Sequence, residues 1–111
     1  MRFNLKLIIS LLAAAPSAFA ALEGSCTVNG VKGICINTAN CKMSAGQSGS
    51  ANYYSGYCPN DPANVKCCIK KVNYSGRTGT CINVNSGCNG DLFSGQCPGS
   101  SNVKLCLPKP S

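Results

Sequence analysis

The 111-residue sequence contains no histidine, no tryptophan and only three acidic residues. Without histidine, the chain cannot build the Ser-His-Asp or Cys-His pairs that activate most hydrolytic nucleophiles. A hydrolase that uses acid/base chemistry needs two placed carboxylates, but Asp61 and Asp91 lie in turn-forming segments and Glu23 stands alone near the start. We therefore expect a protein that is not an enzyme.

Long apolar runs are also absent, except near the start of the chain. Residues 1–20 have the layout of a secretory signal, with basic Arg2 and Lys6, an apolar stretch and a small-residue cleavage site at Ala18-Phe19-Ala20. The apolar stretch is shorter than the roughly 20 residues that cross a bilayer. The sequence thus predicts cleavage after Ala20 and a secreted, extracellular protein without a transmembrane segment.

Large apolar side chains are few in the mature chain, which retains all ten cysteines. Ordering a small chain costs about 1.5 kcal/mol per residue, a cost that so thin a core does not offset. Export supplies the oxidising compartment in which disulfides form. With no histidine and no C-x₂-C spacing, a metal site is not expected, and we predict no cofactor. The fold class is small, disulfide-rich and mainly β.

The chain contains an internal repeat, in which residues 33–69 correspond to residues 79–107. Gly33-Ile34-Cys35-Ile36-Asn37 recurs as Gly79-Thr80-Cys81-Ile82-Asn83, and Ser55-Gly56-Tyr57-Cys58-Pro59 recurs as Ser94-Gly95-Gln96-Cys97-Pro98. Four cysteines of each repeat therefore match, namely Cys35, Cys41, Cys58 and Cys68 with Cys81, Cys88, Cys97 and Cys106.

Two cysteines lack a counterpart, because Cys26 aligns with Lys70 or Lys71 and Cys67 aligns with Leu105. Their joint absence from the second repeat predicts that Cys26 and Cys67 bond to each other, since losing one alone would strand a thiol. The four shared cysteines of each repeat still allow three connectivities.

We divide the chain into a signal peptide (1–20), a six-cysteine unit (21–69), a linker (70–78) and a four-cysteine unit (79–111). Short strands are expected at 53–58, 65–69 and 92–97, with hairpin turns at Asn29-Gly30 and Asn89-Gly90. A helical turn is expected within 38–43, and the polar run 44–51 reads as a flexible loop. Asn73-Tyr74-Ser75 in the linker is a candidate N-glycosylation site at Asn73.

Two groups of side chains are candidates for ligand binding. Basic residues cluster around 66–77 and would attract anionic surfaces, although the net charge of +5 of the mature chain also suits simple solubility. Tyrosines cluster at 53–57, either as a stacking platform for sugar rings or as packing over the disulfides. The residues are Lys66, Lys70, Lys71, Arg77, Tyr53, Tyr54 and Tyr57. No nucleic-acid-binding motif is present.

The first repeat resembles the β-defensins, which have six cysteines that end in an adjacent pair and Gly-x-Cys before the fourth, here Gly56-Tyr57-Cys58. The resemblance implies two tandem defensin-like units of short antiparallel strands. It also implies the pairing Cys26–Cys67, Cys35–Cys58 and Cys41–Cys68, with Cys81–Cys97 and Cys88–Cys106 in the second repeat.

A second resemblance covers nearly the whole mature chain. The segments from Gly24-Ser25-Cys26 to Val65-Lys66-Cys67-Cys68, followed by a shorter Gly-x-Cys…Cys-Pro unit, are similar to cysteine-rich modules that precede catalytic domains in fungal secreted lysozyme-like and peptidoglycan-degrading enzymes. This resemblance implies a fungal source and a stand-alone module associated with microbial cell walls.

From these features we expect a secreted cationic protein that binds the microbial envelope, through peptidoglycan or a related wall glycan, and inhibits growth. The alternative is a host-directed effector or protease inhibitor that contacts a host protein through the loop at 44–51.

Overall fold

The computed structural model describes residues 23–109, and the expected signal peptide lies outside them. Within this range the chain forms seven short strands and two 3₁₀ turns. The strands are β1 (Ser25–Val28), β2 (Val31–Asn37), β3 (Ser48–Tyr54), β4 (Val65–Tyr74), β5 (Arg77–Asn83), β6 (Gly90–Phe93) and β7 (Val103–Pro108). The 3₁₀ turns are Thr38–Asn40 and Val84–Ser86. The expectation of a small, mainly β, disulfide-rich fold is confirmed.

All seven strands belong to one antiparallel sheet with the order β1-β2-β4-β5-β7-β6, and β3 pairs with the free side of β4. Strand β4 is long enough to pair with β2 through its first half and with β5 through its second half. Residues 70–78, expected as an exposed linker, are therefore the end of β4, a turn and the start of β5. The two repeats share one continuous sheet.

The turn between β4 and β5 explains why this segment is not a linker. Ser75 and Gly76 have φ values of 52° and 79°, and Asn29 and Gly30 between β1 and β2 have 50° and 83°. Two successive positive φ values are what a type I′ hairpin requires. The turn at Asn29-Gly30 is thus confirmed, whereas the one at Ser75-Gly76 was missed because Ser-Gly is a weaker signal than Asn-Gly.

The expected hairpin turn at Asn89-Gly90 is wrong. Neither residue has a positive φ, and Gly90 begins β6, where a Cβ atom would overlap the Leu107 carbonyl. Its glycine serves close strand approach instead. The middle strands also lie earlier than expected, because Gly56 and Gly95 adopt φ values of 89° and 86° and end the extended backbone before Cys58 and Cys97.

The strand register repeats along with the sequence. Ile34 lies opposite Cys68 as Thr80 lies opposite Cys106, and Asn37 lies opposite Val65 as Asn83 lies opposite Val103. Gly33 and Gly79 are required at matching positions, because a Cβ there would overlap the carbonyl oxygen of Cys68 or Cys106. The second half of β4 then takes the place of β1, which puts Val72 rather than Lys70 or Lys71 opposite the position of Cys26.

Five disulfides join all ten cysteines, as Cys26–Cys67, Cys35–Cys58, Cys41–Cys68, Cys81–Cys97 and Cys88–Cys106. This is the pairing that the β-defensin resemblance implied. Adjacent residues of a strand point to opposite faces, so Cys67 and Cys68 take different partners on different sides of β4. Cys67 belongs to one apolar cluster and Cys68 to the other.

The larger cluster lies between the two repeats and holds Ile34 and Cys68 from the first and Val72 and Leu105 from the second. Val72 and Leu105 occupy the positions that correspond to Cys26 and Cys67, and both are fully buried. The second repeat therefore has an apolar pair where the first has a disulfide.

This correspondence predicts that Cys26→Val/Cys67→Leu folds with the native sheet. Loss of the bond should lower the free energy of unfolding by about 2–4 kcal/mol, partly offset by the added apolar volume. Guanidinium unfolding measures the difference. Cys26→Ala/Cys67→Ala, which leaves the volume unfilled, is the control and should be the less stable of the two. Equal stability of the two variants would contradict the correspondence.

Candidate ligand-binding face

One exposed face of the sheet presents a row of side chains that crosses five strands. Directly paired residues of antiparallel strands have side chains on the same face. The pairings place in one row Ser50 of β3, Lys71 of β4, Thr80 of β5, Cys106 of β7 and Leu92 of β6. Neighbouring strands are about 4.8 Å apart, so the row is about 19 Å long. We call this surface the outer face.

A second row on the outer face runs alongside the first. It contains Ser48, Asn73 and Thr78, which pair across β3, β4 and β5. Their side chains are hydrogen-bonded to one another: Asn73 donates through Nδ2 to Ser48 Oγ at 3.2 Å and accepts from Thr78 Oγ1 at 2.5 Å. The outer face is thus rich in hydroxyl and amide groups.

Two shallow depressions meet on this face and share Thr80 and Cys106. One has a volume of about 320 Å³ and is lined in part by Lys32, Ile82 and Asn89. The other has about 310 Å³ and is lined in part by Lys71, Thr78 and Pro108. The disulfide Cys88–Cys106 contributes sulfur surface between them. Together they form a groove, which we call the Thr80 groove.

The Thr80 groove has positive charge and no carboxylate in its lining. Lys32 holds its Nζ 2.6 Å from the Ser86 carbonyl oxygen and 3.0 Å from that of Gly87, which leaves one ammonium hydrogen free for a ligand. Lys71 is exposed at the other end, and within residues 23–109 it forms no ion pair.

The acidic side chains of the described chain lie elsewhere. Glu23 bonds to the Ser100 hydroxyl at 2.6 Å and to its backbone N–H at 2.9 Å, and thereby joins the two repeats. Asp91 lies 3.2 Å from Arg77, and Asp61 lines a depression formed by residues of the first repeat and its preceding segment. Opposite charges are therefore kept out of the groove.

The depression that contains Asp61 has a volume of about 290 Å³ and is lined by Tyr57, Pro59, Asn60 and the disulfide Cys35–Cys58. The Sγ atoms of Cys26, Cys35 and Cys58 lie within 4.8 Å of one another, because two disulfides pack together. Sulfur in a disulfide lacks the thiolate charge that binds metals. These three cysteines do not fit a metal site in the oxidised protein.

The three candidate tyrosines do not form one platform. Tyr53 pairs with Cys68 and Tyr54 with Cys67, so their rings point to opposite faces of β3, while Tyr57 lies beyond the strand. Their exposed fractions are 51%, 39% and 44%. Tyr57 alone lines a depression, beside Cys58.

The candidate basic residues are dispersed as well. Lys71 alone of the four lies in the Thr80 groove. Lys66 is on the other side of β4, opposite Ile36, with its Nζ 3.0 Å from the Ala63 carbonyl oxygen. Arg77 donates to Asp91 and to the Pro108 carbonyl.

Lys70 is buried, with 1% of its surface exposed, and cannot contact a ligand from outside. It lies on β4 between Cys68 and Val72, on the side that faces the larger apolar cluster, and pairs with Ala51. Its sequence neighbours suggested a solvated linker, and the burial arises because β4 continues through this position. Burial lowers the pKa of the Lys70 ammonium below its usual 10.5, because desolvation disfavours the charged form.

The polar run 44–51 is not a free loop. Residues Ser48 to Ala51 belong to β3 and pair with β4, and Gln47 donates through Nε2 to the Gln96 carbonyl at 2.8 Å. Backbone pairing overrides the Gly/Ser composition here. This segment is therefore attached to both repeats, rather than projecting as a contact loop.

Sequence reasoning missed Lys32, Thr78 and Thr80 as groove residues. A usable signal was present for Thr80, which replaces Ile34 of the first repeat. Ile34 is fully buried between the repeats, whereas the matching face of β5 has no further repeat to cover it. A polar residue at an otherwise apolar repeat position indicates such an exposed face.

No family model and no solved structure match the chain. The chain is similar to a protein of Arthroderma benhamiae that is described as an uncharacterized secreted protein, with 39% identity over 93 residues. The alignment covers 83% of this chain and 35% of the relative, so the chain spans about a third of the relative's length.

The protein is secreted. Its relative is a secreted protein, and the five disulfides require an oxidising compartment. Among residues 23–109, none of the helical segments has the length and hydropathy needed to cross a bilayer.

The burial of Lys70 predicts that Lys70→Met stabilises the protein at neutral pH by about 1–3 kcal/mol, because an unpaired buried polar group is removed. Since the folded-state pKa is the lower one, the unfolded state binds more protons between that pKa and 10.5, and wild-type stability rises with pH in this window. The gain from Lys70→Met should therefore shrink toward pH 10.

Guanidinium unfolding midpoints of both proteins between pH 6 and pH 10 measure this difference. Lys71→Met, which changes an exposed lysine of the same strand, serves as the control and should show no such trend. A gain from Lys70→Met that stays constant over the whole pH range would contradict the assignment.

Proposed function

We propose that this secreted protein binds a microbial wall polysaccharide through the Thr80 groove and acts as a binding protein rather than an enzyme. The observation that carries the proposal is the pairing of lysines with hydroxyl groups in an open groove without carboxylates. Sugar polymers offer many hydroxyl groups, which threonine hydroxyls and lysine ammonium groups can bond. An open groove about 19 Å long suits an extended polymer rather than an enclosed small molecule.

Charge points to an anionic polymer. Peptidoglycan carries carboxylates on its peptide stems, whereas chitin is uncharged. Lys32 and Lys71 in the two joined depressions would form charge-assisted hydrogen bonds with such carboxylates, which are stronger than neutral ones. The proposal therefore favours peptidoglycan over chitin.

Rigidity supports the same function. Cys106 at the centre of the groove is bonded to Cys88, and Cys81 in the strand below is bonded to Cys97. A surface held by covalent bonds loses little conformational freedom when a ligand binds, which favours affinity. We propose that the wall-bound protein inhibits microbial growth, as the β-defensin resemblance implies, with the two repeats as tandem defensin-like units.

The similarity to wall-associated fungal modules agrees with the comparison. The Arthroderma relative is much longer than this chain, as expected where a module is joined to other sequence. A second candidate function is contact with a host protein, as an effector or protease inhibitor. It is favoured by Tyr53, Tyr54 and Tyr57, because exposed tyrosines are common at protein interfaces.

A sedimentation assay with insoluble peptidoglycan and chitin tests the proposal, using oxidised protein made without N-glycans. We expect stronger binding to peptidoglycan, weakened but not abolished by high salt. Lys71→Gln/Thr80→Val should weaken binding about tenfold, through the loss of about 1.4 kcal/mol. Reduced and alkylated protein should neither bind nor inhibit bacterial growth.

Lys66→Gln is the matched control, because it removes the same charge from the other side of β4. It should change binding less than twofold. An equal loss from Lys66→Gln would point to net charge rather than to the groove. Failure of the wild-type protein to bind either polymer would refute the proposal and favour a host-protein target.

A further inference from the structure

The glycosylation sequon of the chain lies on the outer face, beside the Thr80 groove. Asn73 is exposed and stands on β4 two residues before the turn at Ser75-Gly76. Lys71 precedes it by two residues and so has its side chain on the same face, about 7 Å away along the strand. Thr78 is its direct partner on β5. Both Lys71 and Thr78 line the groove.

The side chain of Asn73 is oriented by its neighbours. Its Nδ2 group has two hydrogens, and the one directed at Ser48 Oγ is 3.2 Å from donor to acceptor. Its Oδ1 accepts from Thr78. Within residues 23–109 the second Nδ2 hydrogen is not used in a hydrogen bond between side chains, so it is the position at which a sugar can be attached while both contacts are kept.

We propose that Asn73 carries an N-linked glycan and that this glycan covers the Lys71–Thr78 end of the Thr80 groove. In the transfer, Asn73 Nδ2 forms a bond to the anomeric carbon of a lipid-pyrophosphate-linked oligosaccharide. The carbon–oxygen bond to pyrophosphate breaks, the lipid pyrophosphate leaves and the second Nδ2 proton is released. The attachment rests on the sequon and its exposure, whereas the covering effect rests on the proposed function.

The covering effect follows from size and position. An N-linked oligosaccharide is bulky and larger than the 7 Å or so that separates Asn73 from Lys71. It would therefore compete with a polymer for the same surface. Because an uncharged glycan adds no charge, the loss of binding is steric, and the positive charge of Lys71 is retained.

The position of Ser75 offers a sharp test of this proposal. Ser75→Asn removes the sequon but keeps Asn73 and its contacts with Ser48 and Thr78. Asparagine tolerates positive φ better than most residues, so it suits the φ of 52° at position 75. Asn73→Gln is the second variant, which removes the acceptor itself.

The experiment compares the wild-type protein and both variants, each secreted from a yeast that attaches N-glycans. Mass spectrometry of the tryptic peptide 72–77 reports occupancy, and sedimentation with peptidoglycan reports binding before and after enzymatic removal of the glycan. We expect a glycan on the wild-type peptide and at least fivefold weaker binding by the glycosylated form. Ser75→Asn should bind like the deglycosylated wild type.

An unmodified 72–77 peptide from this host would overturn the site. A modified peptide together with equal binding before and after glycan removal would overturn the covering effect. If the deglycosylated protein also fails to bind, the proposed function fails and the covering effect with it, while the mass of the peptide still decides whether Asn73 is a glycosylation site.

Discussion

The adjacent cysteines of β4 are the constraint on which the rest of the structure depends. Because neighbouring side chains of a strand point to opposite faces, Cys67 and Cys68 draw disulfides from both sides of the same strand. Cys67 anchors β1 through Cys26, and Cys68 anchors the turn after β2 through Cys41. The strand fixed in this way then pairs with β2, β3 and β5. One strand thus carries the connection between the two repeats.

Divergence between the repeats explains how the sheet acquired two different faces. Where the first repeat has Ile34, buried between the repeats, the second has Thr80 on an exposed surface. Where the first has the disulfide Cys26–Cys67, the second has the buried pair Val72 and Leu105. Covalent and apolar stabilisation therefore replace each other at equivalent positions. The last repeat has no neighbour to cover it, and its outer face remains available to a ligand.

Charge is distributed in keeping with this asymmetry. Two of the three carboxylates are engaged in contacts that hold the fold, Glu23 with Ser100 and Asp91 with Arg77. Lys32 and Lys71 remain beside the threonines of the groove. The same face holds Asn73, so a single surface combines positive charge, hydroxyl groups and a modification sequon. This combination supports a role in recognising an extended anionic polymer outside the cell.

The sequence by itself determined the disulfide-rich β class, the internal repeat, the Cys26–Cys67 bond and the turn at Asn29-Gly30, because each depends on local residue types or on spacing. The tertiary structure alone decided the fate of residues 44–51 and 70–78. Their polar composition predicts loop and linker, but pairing with β4 and β5 satisfies their backbone groups and buries Lys70. The groove could not be predicted as a unit, because Lys32, Lys71 and Thr80 come from different strands. Their proximity is fixed by strand order and register, which long-range pairing sets and local sequence does not.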